Sequence, residues 1–232
     1  MRWLSAMGEA ASQLFFPHHC AACGTDALSR DTELCWHCLG SLPATHFASL
    51  PANPLEKIFW GRLPLQAATA LYFYTQDSIL QKAMHAFKYH RNQALGIQLG
   101  RLLGQELIQS GRFQADLLIP VPLHPRKEKQ RGFNQSALIC RGMSQVMKVP
   151  CLEGVLLRPT ASETQTNKNR MGRWKNMEGK FVLSPASTLE GKHCLLVDDV
   201  ITTGATLESC GRALLEATDV KISIASLGTA AQ

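Results

Sequence analysis

Residues 195–206 read Leu195-Leu196-Val197-Asp198-Asp199-Val200-Ile201-Thr202-Thr203-Gly204-Ala205-Thr206. An apolar strand that ends in two acids and turns through a glycine among hydroxyls can hold one kind of ligand well. Neighbouring carboxylates accept hydrogen bonds from paired sugar hydroxyls. Gly204 permits a tight turn, so the N–H groups of residues 202–206 converge where the next helix starts, a natural anion site. The combination points to a sugar phosphate, with Asp198 and Asp199 on the ring hydroxyls and Thr202, Thr203, Gly204, Ala205 and Thr206 around the phosphate. Taken singly, each threonine reads as a cap or turn former and Asp199 as a solvated strand end. The ordered set favours the ligand. Two other phosphate motifs, G-x-x-x-x-G-K-S/T and G-x-G-x-x-G, are absent.

A second cluster lies near the N-terminus, where Cys20 and Cys23 form one pair and Cys35 and Cys38 another. Each two-residue gap lets both sulfurs reach one ion, and four thiolates close a tetrahedral zinc site. A disulfide pair or a redox Cys-x-x-Cys is the alternative, and His18, His19 and His37 are substitute ligands. The segment has little core of its own, so metal would supply much of its folding energy. A closed four-thiolate site is structural. The other cysteines, Cys140, Cys151, Cys194 and Cys210, fall in apolar or helical stretches and read as small buried hydrophobes.

Cations are concentrated in one part of the chain. Residues 120–180 hold twelve Lys or Arg and four Asp or Glu, a net +8, which leaves −2 for the rest of a chain whose total is +6. Within that stretch Arg126, Lys127, Lys129 and Arg131 are expected in a loop that follows a strand ending in prolines. They suit either a pyrophosphate or a nucleic-acid backbone, and singly they read as a solvated charge run. Arg131-Gly132-Phe133-Asn134-Gln135 reads as a shaped loop, because a glycine and an aromatic stand beside the cation. A second polar stretch, with Arg158, Arg170, Arg173 and Asn176, reads as a cover over the site or a nucleic-acid contact. Lys88 to Arg91 reads as a solvated helix end or a contact to phosphates, and Trp60 and Trp174 as half-buried residues or stacking surfaces.

The elements that must position these residues alternate. Strands are expected at 70–75, 115–123, 151–157, 193–199 and 220–228. Helices are expected from Ile79 to Phe87, over Gly96–Ile108, Ser136–Met147 and Leu207–Ala217, and an amphipathic one with Trp3, Leu4, Met7, Ala11, Leu14 and Phe15. Strand and helix in alternation predict an α/β fold with a mostly parallel sheet flanked by helices. The Pro- and Ala-rich stretch after Cys38 marks a boundary, giving a zinc segment over 1–50 and a larger domain over 51–232. Of the 232 residues 45% are hydrophobic and 18% charged, which excludes wholesale disorder. No apolar run spans a bilayer, and Glu9, Ser12 and Gln13 interrupt any signal-peptide centre, so a soluble cytoplasmic protein is expected.

The thirteen residues from Cys194 to Thr206 resemble the phosphoribosyl pyrophosphate signature of type I phosphoribosyltransferases. That resemblance implies Asp198 and Asp199 on the ribose hydroxyls, Thr202 to Thr206 around the 5-phosphate, and Mg²⁺ bound with the ligand. The segments PVPLHPRKEKQRGFNQ (120–135), RPTASETQTNKNR (158–170) and LLVDDVITTGAT (195–206), in this order behind the cysteine cluster, resemble the ComF/GntX family over nearly the whole chain. The family resemblance implies a type I phosphoribosyltransferase-like domain, an N-terminal zinc segment and a part in DNA uptake during natural transformation or in the use of external DNA. Three roles stay open. The chain is a phosphoribosyltransferase, a non-catalytic module that senses a ligand or binds single-stranded DNA, or a scaffold whose zinc segment recruits DNA-uptake proteins.

Overall fold

The computed structural model describes residues 18–29, 31–89, 92–158, 181–185 and 188–230. The expected N-terminal amphipathic helix, residues 159–180 of the second polar stretch with Trp174, and His90 and Arg91 lie outside the described residues. In chain order the elements are α1 (Trp36–Gly40), a 3-10 turn (Phe47–Ser49), α2 (Pro54–Phe59), β1 (Ala67–Tyr74), α3 (Ile79–Tyr89), α4 (Gln93–Ser110), β2 (Leu117–Pro120), α5 (Pro125–Arg131), α6 (Gln135–Met147), β3 (Leu156–Leu157), β4 (Val182–Leu183), β5 (His193–Ile201), α7 (Ala205–Leu214) and β6 (Lys221–Ala230).

Four strands form a parallel sheet in the order β1-β6-β5-β2. Cys194, Leu195, Leu196 and Val197 of β5 are all buried, as a central strand covered on both faces requires. Alternate residues serve opposite faces. Leu195 and Val197 join an apolar cluster with Leu80 and Phe87 of α3, Leu95, Leu99 and Leu103 of α4, and Leu138 and Met143 of α6. Cys194 and Leu196 join a second cluster with Leu55 and Phe59 of α2, Leu207 and Leu214 of α7, and Leu156 and Phe181 beside the short β3-β4 ribbon. Single bridges from Ala44 to Tyr72 and from Cys151 to Leu118 cover the outer edges of β1 and β2.

Three sequence expectations change. The stretch expected as a basic loop after β2 is the helix α5: the His124 side chain accepts from the Arg126 N–H, Pro125 opens the first turn, and Gly132 ends the helix at φ 82°. The strand expected over 115–123 is confined to Leu117–Pro120, because Pro120 and Pro122 have no N–H to donate. The strand expected over 151–157 is broken where Gly154 takes φ 76°, leaving a bridge at Cys151 and only Leu156–Leu157 in the ribbon with β4.

Helices α4 and α6 approach to backbone contact. A methyl group on Gly142 would run into the carbonyl oxygen of Ile97, and one on Gly100 into that of Ile139. Gly142→Ala is therefore expected to lower the unfolding free energy by about 1–3 kcal/mol through overpacking. A methyl on Gly40 meets nothing within 4 Å, so Gly40→Ala should stay within about 0.5 kcal/mol of the parent. Urea unfolding of the two variants reads the difference.

Candidate functional site

The chain leaves β5 through α7 toward β6, and it leaves β2 through α5 and α6 toward Cys151 on the other side. Connections that depart in opposite directions open a crevice between the carboxyl ends of the two strands, where open α/β sheets bind ligands. Val197 pairs with Pro120, the last residue of β2. Asp198 is thus the first residue of β5 to extend past its neighbour.

The two carboxylates are held differently. Asp198 Oδ1 accepts from Ser136 Oγ at 3.1 Å and from the Asp199 N–H at 2.8 Å. Burial, and then the charge of Asp199, push the Asp198 carboxyl up to about 7 against the opposing pull of the Asp199 N–H, Ser136 and Lys88. Asp199 Oδ1 accepts from the Val200 N–H at 2.7 Å, and its Oδ2 lies 2.6 Å from Lys88 Nζ. Lys88 is therefore not the solvated helix end that its position in the sequence suggests. The apolar spacing of α3 buries Leu80, Met84 and Phe87, and that rotation delivers Lys88 to the crevice.

Beyond the acids, Gly204 takes φ 74° as the N-cap of α7 and brings no side chain to cap that helix, while Thr203 Oγ1 accepts from the Ala205 N–H at 3.4 Å. A helix N-terminus without an N-cap side chain favours an anion. A Cβ on Gly204 would lie 2.9 Å from the Phe59 ring, so glycine is required by both backbone and packing. Thr202, Thr203, Ala205 and Thr206 are exposed around it. Arg62 clamps this loop from the turn that follows α2. Its Nε and Nη2 donate to Glu208 Oε2 at 2.9 and 2.6 Å, and its Nη1 donates to the carbonyls of Ile58 and Thr203 at 3.1 Å each.

The four expected cations separate. Arg126, Lys127 and Lys129 are exposed on α5, whereas Arg131 turns inward. Its guanidinium lies 5.6 Å from the centre of the Tyr89 ring, and its Nη1 donates to Gln135 Oε1 at 2.7 Å. Phe133 stacks on Phe87 at 5.8 Å, and Asn134 both caps α6 and donates to the Val121 carbonyl at 3.0 Å. This is the shaped loop that Arg131-Gly132-Phe133-Asn134-Gln135 predicted. The second polar stretch leaves and rejoins the described chain at one place, since Leu157 pairs with Val182. The Arg158 guanidinium sits there over the Phe181 ring at 5.3 Å. Trp60 is exposed, with the Lys57 ammonium 6.0 Å from its ring.

Sequence reasoning missed Arg62, Ser136 and Glu208 as parts of this site, and it named Lys88 only as a solvated helix end or phosphate contact and Gln135 only as part of a shaped loop. Ser136 stood at the end of the basic segment and Lys88 at a basic helix end, but neither signal says which carboxylate the side chain reaches.

The ligand atoms of Cys20, Cys23, Cys35 and Cys38 all lie within 4.8 Å of one another. Cys23 Sγ and Cys35 Sγ are 3.7 Å apart. Sulfurs about 2.3 Å from a shared tetrahedral ion stand about 3.8 Å from each other, far beyond a disulfide at about 2.05 Å. Burial by itself raises the Cys20 thiol, but the N–H groups of Cys23, Cys35 and Ala22 bring it down to about 6. Four converging soft donors fit zinc. His18 is turned to the Thr32 carbonyl at 3.0 Å, and His37 packs on Trp36 at 5.9 Å; the grouped ligands are cysteines alone among the described residues. The Glu33 N–H donates to Gln98 Oε1, and Glu33 Oε2 accepts from Asn92 Nδ2, both at 2.7 Å, which ties the cysteine segment to the start of α4.

The phosphoribosyl transferase domain family matches residues 142–231, a span that includes the acidic pair and the loop after it. The DNA utilization protein YhgH of Salmonella typhimurium is 30% identical over 217 residues, covering 92% of this chain and 89% of that protein. The chain belongs to the ComF family. Another relative of this ComF protein, competence protein F of Haemophilus influenzae, is 26% identical over 204 residues, covering 86% of this chain and 79% of the relative. A solved glutamine phosphoribosylpyrophosphate amidotransferase from B. subtilis is 23% identical, covers 56% of this chain and 25% of its own, and has a TM-score of 0.38; that likeness carries no part of the assignment. The fold is of the type I phosphoribosyltransferase kind, a parallel sheet flanked by helices. No described helix is long and apolar enough to cross a membrane.

Cys20, Leu34, Cys35 and Cys38 belong to the same apolar cluster as Leu80 and Leu99. Emission spectroscopy on the purified protein should therefore find about one zinc per chain. Stripping it, or making Cys38→Ser, should lower the melting temperature of the whole chain and not of a separate segment.

Proposed function

We propose that this protein binds phosphoribosyl pyrophosphate, together with Mg²⁺, in the crevice between β5 and β2, and that it serves DNA uptake or the use of external DNA in the cytoplasm. One observation carries the reading: adjacent carboxylates at the end of β5 stand beside a helix N-terminus that opens through a glycine and has no N-cap side chain. The acids suit the ribose hydroxyls, and the N–H groups of the α7 turn suit the 5-phosphate. The relatives' names, a DNA utilization protein and a competence protein, support the cellular role.

Magnesium fits this donor set as a hard cation carried on the ligand's own oxygens next to two carboxylates, where it would neutralise pyrophosphate charge. The chain's own residues orient the ribose and hold its 5-phosphate. If an acceptor displaces pyrophosphate, the negative field of Asp198 and Asp199 favours the positive charge that develops on the ribose carbon. No covalent nucleophile is needed. Titration with phosphoribosyl pyrophosphate and magnesium, followed by assay of pyrophosphate release against a panel of bases, tests binding and transfer separately.

A second reading rests on Arg126, Lys127 and Lys129, which are exposed on α5. They suit the backbone of single-stranded DNA, with binding and ligand sensing combined in one chain.

Replacing Asp198 and Asp199 by asparagine should abolish phosphoribosyl pyrophosphate binding and spare any DNA affinity. The pH dependence has a definite sign. The Asp198 carboxyl titrates near 7 in the folded protein, against about 4 in an unfolded chain. Ionising it disfavours the empty fold, so ligand-free stability should fall as pH rises between those values. The charged form is the better acceptor for ribose hydroxyls, so affinity should rise from pH 6 to pH 8 in calorimetric titration. Changing Arg126, Lys127 and Lys129 to glutamine should flatten the salt dependence of DNA binding by about 2 in log–log slope, at about 0.7 per phosphate contact.

A further inference from the structure

The cysteines stand in three different surroundings. Four converge in the N-terminal cluster. Cys194 and Cys210 are buried in the apolar cluster around α7, and burial pushes the Cys194 thiol up to about 11. Cys140 and Cys151 form a third group. Their sequence context suggests small buried hydrophobes, yet Cys151 is only half-buried, and the Cys140 and Cys151 side chains hydrogen-bond to each other.

Elements that the fold fixes separately bring these two thiols together. Cys140 is buried on α6, which the close approach of Gly142 to Ile97 and of Gly100 to Ile139 holds against α4. Cys151 is held on the edge of β2, where the Leu118 N–H donates to the Pro150 carbonyl and the Leu152 N–H to the Leu118 carbonyl, both at 2.9 Å. Next to the thiols, Arg141 Nη2 donates to Glu153 Oε1 at 2.8 Å and spans the same gap a second time. The two sulfurs are not equivalent. The bond from Cys140 draws the Cys151 thiol below its ordinary value against burial and the charge of Glu153, with help from Arg141. Burial, and then the same bond, push the Cys140 thiol well above its own. The accessible sulfur is thus the one that ionises more readily, and the thiolate is the reactive form of cysteine. The sulfur behind it keeps its proton.

We propose that Cys151 and Cys140 are a redox-active dithiol, in which a hydroperoxide oxidises Cys151 and Cys140 then closes a disulfide from behind it. A half-buried sulfur admits a small oxidant, and hydrogen peroxide is the smallest of that class. The Cys151 thiolate attacks one peroxide oxygen, an S–O bond forms, the O–O bond breaks, and the departing hydroxide takes up a proton as water. The product is a sulfenic acid. The Cys140 sulfur attacks the Cys151 sulfur and gives up its proton, the S–O bond breaks, and a second water leaves as the S–S bond forms. Two thiols lose two electrons and one peroxide gains them. An external dithiol restores the pair by exchange. The disulfide ties α6 to the edge of β2, and Ser136, which contacts Asp198, lies one helical turn before Cys140. Oxidation is thereby recorded on the helix that also supports the acidic pair. This chemistry does not depend on the phosphoribosyl pyrophosphate reading.

Treating the full chain, purified with zinc and freed of reductant, with hydrogen peroxide tests this. Trypsin cuts after Arg141 and Lys148, between the two cysteines, so the disulfide joins two separate peptides that mass spectrometry identifies. Their linkage is the expected result, with reversal by dithiothreitol and with Cys194 and Cys210 recovered as thiols. In Cys151→Ser, Cys140 should survive the same treatment as a thiol, because the oxidant reaches it only through Cys151. In Cys140→Ala, Cys151 should stop at the sulfenic acid and be captured by dimedone. A parent that yields no linked peptide, a Cys151 joined instead to an N-terminal cysteine, or a Cys140 oxidised as fast in Cys151→Ser as in the parent overturns the proposal. If Cys140→Ala does not fold, as its melting curve would show, the parent and Cys151→Ser decide.

Discussion

Two carboxylates on consecutive residues, at the end of a strand buried on both faces, repel each other where water is scarce. The rest of the crevice answers that repulsion. Ser136 and the Asp199 N–H hold one oxygen of Asp198, whose proton is retained up to about 7, and Lys88 neutralises Asp199 from another helix. An arrangement that must be balanced by an outside cation and a retained proton is under electrostatic tension when empty. On the reading proposed above, a ligand with hydroxyls for the acids would relieve it.

The two sides of the acidic pair differ in how firmly they are built. On the α7 side, Gly204 is pressed against Phe59, and Arg62 ties the Thr203 carbonyl to Glu208 of the first helical turn. These contacts hold the turn in shape whether or not an anion is present, and preorganised donors of that kind bind at little reorganisation cost. On the α3 and α6 side, the acids are met by the side chains of Lys88 and Ser136. Phe87 and Phe133 anchor that side through their stack.

The cysteine segment is part of the same structure. Its buried sulfurs and Leu34 extend the apolar cluster that backs α3 and α4, and Glu33 is bonded to both ends of the first turns of α4. The cysteine segment is thereby tied to the start of α4 and packs in the same apolar cluster as α3.

Local composition determined much of this. The run Cys194 to Thr206 could only be a buried strand, an acidic end and a glycine turn, because four apolar residues in a row, two acids and a glycine among threonines leave few other backbones. The cysteine spacing likewise required convergence of each pair, since two residues cannot carry the sulfurs far apart. The basic segment was legible as cationic but not as helical, because its helix depends on caps at His124 and Gly132 and not on apolar periodicity. What only tertiary structure decided is which distant side chains meet the acids. Lys88 and Asp199 are 111 positions apart, and their contact follows from the rotation of α3 on its buried face and the placing of β5 beside β2. A charge at a helix end carries no local mark of its partner, because ion pairing depends on a distance in space that the packing of the core sets.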